Sequence, residues 1–157
     1  MTLKSSNSKC INTATAEVLV HSFVSPKLDF CNSLLYDLPK YEINKLQSVL
    51  NAAARVIACL RKFDHVTNTL KELHWLPVEQ RIIFKINLVC FKVLNNLAPS
   101  YLTELLRVYE PVRRLRSSSD KWQFAIEPYN LKTYGLRAFS IIAPRLWNDL
   151  PKDGFLK

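Results

Sequence analysis

The stretch from residue 64 to residue 100, DHVTNTLKELHWLPVEQRIIFKINLVCFKVLNNLAPS, constrains this chain more than any other. At its centre, Leu73-His74-Trp75-Leu76-Pro77 separates two helical patterns. The spacing predicts a short helix that Thr67 caps and that runs through Leu73, because a threonine hydroxyl accepts from the exposed amides of a first turn. Pro77 suits the first position of the next helix, where a missing N–H costs nothing and φ is already set. That helix is expected over residues 78–94, stopping at Asn95-Asn96 with Pro99 barring continuation. Trp75 is large enough to lock both helices against one core. By local pattern the stretch is a helix–turn–helix packing corner.

The remainder reads as helix punctuated by proline. Two glycines against eight prolines in 157 residues argue against a glycine-rich nucleotide-binding loop. Residues 1–12 form a frayed lead-in, after which Ala16, Leu19, Val20, Phe23 and Val24 recur at helical spacing up to Pro26. Residues 27–36 give a second short helix with Leu28, Cys31, Leu34 and Leu35 inward, ended by Asp37-Leu38-Pro39. Residues 41–62 carry the clearest amphipathic pattern, with Ile43, Leu46, Leu50, Ala53, Ile57 and Leu60 on one face and Asn44, Ser48, Asn51, Arg55 and Lys62 opposite. A short helix over residues 99–109 would turn Tyr101, Leu102, Leu105 and Leu106 inward. Residues 110–121 then read as an exposed basic loop, Phe124-Ala125-Ile126 as a short strand, and residues 132–151 as resuming a helical pattern across Ala138 to Leu150, started or kinked by Pro144 and anchored by Trp147. The expectation is an all-α, irregular bundle of about six or seven helices with a basic loop-rich segment near residues 108–129. It divides into a helical core (13–106), the basic segment (107–130), a carboxyl-terminal helical segment (131–151) and a tail (152–157).

A net charge of +9 points to a polyanionic partner. Cys10, Cys31, Cys59 and Cys90 include no CxxC pair, so zinc is not expected, and the last three sit in apolar runs as reduced core thiols of an intracellular protein. His21, His65 and His74 share no i, i+4 spacing and complete no triad. No catalytic residue, metal or cofactor is expected. No run approaches the roughly 20 apolar residues of a membrane span, and the polar start is not a secretory signal.

Four phrases occur in a fixed order. They are Leu28-Asp29-Phe30-Cys31-Asn32-Ser33-Leu34-Leu35-Tyr36; Leu46-Gln47 with Asn51-Ala52-Ala53-Ala54-Arg55; Glu72-Leu73-His74-Trp75-Leu76-Pro77-Val78, continuing to Leu97-Ala98-Pro99-Ser100-Tyr101-Leu102; and Leu131-Lys132-Thr133-Tyr134-Gly135 with Ala143-Pro144-Arg145-Leu146-Trp147-Asn148. Over residues 15–151 the chain resembles the region downstream of the polymerase palm in LINE-type (non-LTR, jockey-like) retrotransposon reverse transcriptases. The resemblance implies the thumb and a carboxyl-terminal extension that help hold template RNA and target DNA, with the rest of the enzyme as a further partner and a nuclear setting. Polymerisation in that family needs adjacent aspartates that hold two metal ions, and this chain has no Asp-Asp pair. The resemblance therefore implies a non-catalytic fragment, one whose start looks like the inside of a longer frame. The competing expectation is a helical protein–protein interaction module or an inert relic.

Two basic features are candidate nucleic-acid contacts. Arg81, Lys85 and Lys92 fall within about 40° of one another around a helix axis and could lie along a phosphate backbone. Arg113, Arg114, Arg116 and Lys121, followed by Trp122, combine guanidinium groups for phosphates with a ring for unpaired bases.

Overall fold

The computed structural model of the chain describes residues 12–110, 122–128 and 135–151. Among them are seven α-helices: α1 (Thr13–Phe23), α2 (Ser25–Asp29), α3 (Lys40–Ile57), α4 (Thr67–Glu72), α5 (Val78–Leu94), α6 (Ser100–Leu105) and α7 (Phe139–Asn148). Two 3-10 turns, Asn32–Leu35 and Gly135–Arg137, and an antiparallel bridge between Val108 and Phe124 complete the regular structure of the described residues. The fold is all-α. Residues 1–11, the tail, Arg113, Arg114, Arg116, Lys121 and the phrase from Leu131 to Tyr134 lie outside the described residues.

Two compact units divide the chain, residues 1–82 and 83–157. In the first, α1 packs on α2 and α3, and α3 packs on α4. Leu50, Ala53, Ala54 and Ile57 form the buried face of α3, and the small Ala54, wholly buried, lets neighbouring backbone approach closely. Trp75 is buried with its ring edge-on to His21, centroids 5.5 Å apart. In the second unit Ile86, Cys90 and Val93 of α5 and Ile141, Ile142, Ala143 and Trp147 of α7 are buried. Pro144 sits inside α7, and the Cys90 thiol donates to the Ala143 carbonyl at 3.5 Å.

Helix ends depart most from the pattern. The apolar periodicity of α3 runs on to Lys62, yet the helix stops at Ile57 because Cys59 turns left-handed, φ 52°. The Leu60 amide then donates to Arg55 O and the Cys59 amide to Val56 O, which satisfies two orphan carbonyls. The same double closure follows α4 (His74 to Lys71, Trp75 to Leu70) and α5 (Asn96 to Val93, Leu97 to Lys92). His74 and Asn96 take φ 54° and 55°, the conformation glycine adopts most cheaply. With so few glycines, the chain makes these caps from cysteine, histidine and asparagine.

Four further expectations need correction. Thr67 is the first residue of α4 and no side chain caps that helix, its N-cap being Val66. The second helix is cut short at Asp29, Cys31 takes φ 49°, and Cys31 and Leu34 face solvent while Asn32 is buried. Cys59 is exposed as well, so of the three cysteines read as core thiols only Cys90 is one. In α6, Tyr101 and Leu105 are exposed and Leu106 alone is fully buried, because the chain becomes extended at Leu106, φ −119° and ψ 100°.

Candidate nucleic-acid interface

The start of α5 is built by residues far from it in sequence. Pro77 offers no side-chain acceptor, so Oε1 of Gln47 on α3 accepts from the Val78 amide at 2.9 Å. Gln47 is held in turn, its Nε2 donating to Asn51 Oδ1 at 2.8 Å. This borrowed cap fixes the first turn of α5 and with it Arg81. The guanidinium Nε of Arg81 lies 3.4 Å from Asp29 Oδ1, and the side chain is 16% exposed. Arg81 is thus committed to a carboxylate within its own unit. Along the same helix in the second unit, Lys85 is half-buried and Lys92 exposed, seven residues apart on one face.

The basic segment has both its ends pinned. The Tyr109 amide donates to Gln123 O and the Ala125 amide to Arg107 O, each at 2.8 Å, on either side of the Val108–Phe124 bridge. Asn148 then grips Phe124 twice, Oδ1 accepting from its amide at 3.1 Å and Nδ2 donating to its carbonyl at 2.9 Å. Trp147 Nε1 donates to Trp122 O at 2.6 Å, and its ring meets that of Phe124 edge-on at 6.3 Å. Phe124, 2% exposed, is the plug, while the ring of Trp122 remains 47% exposed above a fixed backbone. Tyr109, at the other end of the segment, is exposed too. The expected strand over residues 124–126 is no more than this bridge, because Asn148 rather than a second ladder satisfies Phe124. Arg107 and Glu127 pair at 3.5 Å in full view of water, a contact worth little.

Charge is unevenly shared between the units. Residues 1–82 carry ten Lys and Arg against seven Asp and Glu, whereas residues 83–157 carry twelve against six. The larger share of the net positive charge therefore belongs to the second unit. Sequence reasoning reached Trp122 but missed Tyr109, Gln47 and Asn148, since nothing local signals a bridge or a cap contributed from tens of residues away.

His21 lies 3.9 Å from Glu17 Oε1 through Nε2 and 3.4 Å from Ser25 Oγ through Nδ1, and His65 and His74 are exposed. Among the described residues no three His, Cys, Asp or Glu side chains group to hold a metal ion, and no helix is long and apolar enough to cross a membrane. No protein family, curated protein or solved structure matched the chain in comparisons with each.

Proposed function

We propose that this chain is a non-catalytic segment of a non-LTR retrotransposon reverse transcriptase that contacts template RNA or target DNA electrostatically and without strict sequence preference. The observation that carries the reading is the basic segment, closed at its base by the Val108–Phe124 bridge, with the Trp122 ring exposed on a backbone that Trp147 holds. The phrases that resemble the family supply its support from another side. Gln47, Asn51 and Val78 of those phrases meet at the start of α5, and Trp147 and Asn148 hold the base of the basic segment. They are scaffold residues, which accounts for a resemblance without catalytic motifs. With no adjacent aspartates the chain is expected not to polymerise. Nuclear residence is part of the same proposal.

A second reading has its own observation. Phe84 and Phe91 of α5 are exposed at helical spacing, as an interface for another protein, or for the remainder of the enzyme, would require. The two readings separate in one titration. A fluorescein-labelled single-stranded RNA and an RNA–DNA hybrid are bound by the chain across a salt series. The nucleic-acid reading expects log K to fall with log salt at a slope of about −3 or steeper. Absence of binding at low salt by a folded, monodisperse chain would overturn it and leave the interaction module.

A further inference from the structure

We infer that the turn Arg61-Lys62-Phe63-Asp64, which links α3 to α4, is a second contact site for single-stranded nucleic acid, with Phe63 as the stacking ring. The inference rests on the nucleic-acid reading above but uses none of its residues. Phe63 is 89% exposed, the most exposed large apolar side chain among the described residues. Its place is fixed by several hydrogen bonds. The Asp64 amide donates to Arg61 O at 3.1 Å, and Asp64 Oδ2 accepts from the Arg61 amide at 2.8 Å, so the turn is closed from both ends. Arg55 on α3 ties it down, its Nε and Nη2 lying 3.4 and 3.3 Å from Asp64 O. Phe63 is therefore presented to water on a built turn.

Its neighbours define the ligand. Lys62 Nζ stands 5.6 Å from the Phe63 ring centroid, and Arg61 is exposed beside it. Neither cation pairs with an acid among the described residues, and the one carboxylate in the turn already accepts from the Arg61 amide. A ring with Lys62 over one face keeps the other face for an unpaired base carrying a phosphate: the base stacks there while Lys62 and the neighbouring Arg61 meet the phosphate. In a duplex the faces of the bases are already stacked on one another, so the ring would find no partner there. The turn should therefore favour single strands.

The test compares the whole chain with its Phe63→Ala, Phe63→Trp and paired Arg61→Gln, Lys62→Gln variants. The probes are a labelled single-stranded oligonucleotide and a duplex of equal length, titrated across salt. Phe63→Ala should weaken single-strand binding roughly 5- to 150-fold and leave duplex binding unchanged. Phe63→Trp should retain or exceed wild-type affinity. The double glutamine variant should reduce the single-strand salt slope by about 1.4, two phosphates at about 0.7 each. Wild-type single-strand affinity in Phe63→Ala, with the salt slope intact, would overturn this site and spare the nucleic-acid reading. Absence of binding by the wild-type chain at low salt would overturn both. Phe63 is exposed, so an unchanged far-UV spectrum should accompany every variant.

Discussion

Gln47 is expected to be the most costly polar side chain to remove from the first unit. Gln47→Leu removes the acceptor from the Val78 amide and the donor to Asn51 Oδ1. Val78 is 2% exposed, so its amide would be left buried and unpaired, at a cost of about 1–3 kcal/mol. Asn51 is half-buried and would lose a neutral hydrogen bond worth about 0.5–1.5 kcal/mol. The sum, about 2–4 kcal/mol, corresponds to a fall in melting temperature of roughly 5–15 °C for a chain of this size. Gln47→Glu is the control. Its carboxylate still accepts from Val78, gains about 0.3–1 kcal/mol at a helix amino terminus, and can accept from Asn51 once that amide turns over. Thermal melts followed by circular dichroism should rank wild type and Gln47→Glu close together and Gln47→Leu far below. A Gln47→Leu variant within about 0.5 kcal/mol of wild type would refute the borrowed cap, as would equal damage from both substitutions; that half-unit is the usual scatter of surface changes.

Other outcomes follow from the same contacts. Glycine at the left-handed positions, Cys59→Gly or His74→Gly, should raise stability by about 0.5–1 kcal/mol each, since it removes roughly 1–2 kcal/mol of steric cost and adds unfolded-state entropy; a loss in urea titrations would contradict the assignment of those caps. Asn148→Ala leaves the Phe124 amide and carbonyl without their partner and should cost about 2–4 kcal/mol, with faster proteolysis between residues 110 and 121 as the readout that a general loss of stability would not confine. Burial pushes the Cys90 thiol from about 9 up to about 12. Between those values the folded chain keeps a proton that the unfolded chain releases, so stability should fall as pH rises from about 9 to about 12, at about 1.4 kcal/mol per pH unit. Cys90→Ala should flatten that dependence, and a thiol reagent should modify Cys31 and Cys59 in the native chain while sparing Cys90.

Much of the fold is legible where one helix face is apolar. The pattern over residues 78–94 gives α5 to the residue, and that over residues 13–24 gives α1 to within one. Legibility fails at the ends of helices. Leu60 follows the periodicity of α3 but lies beyond its end, where an apolar residue packs back over a helix carboxyl terminus and mimics continuation. With cysteine in place of glycine at position 59, no letter marks the stop. Thr67 illustrates the converse, a good capping residue placed one position inside its helix. At the candidate site, the basic run and Trp122 are visible as letters. The bridge that closes the run and the Asn148 side chain that completes it are not, because they join residues 16 and 24 positions apart through backbone groups that every sequence shares. Arg81 falls on the expected stripe, yet its pairing with Asp29 depends on how α2 is placed, and helix periodicity does not carry that information.

The central claim is that the basic segment grips nucleic acid, and its most direct test is a pair of salt series. Single-stranded RNA binding by the wild-type chain is measured beside that of an Arg113→Gln, Arg114→Gln, Arg116→Gln variant. Three phosphates released from contact should reduce the slope of log K against log salt by about 2. Identical slopes for the two chains would contradict the assignment of the grip to this segment.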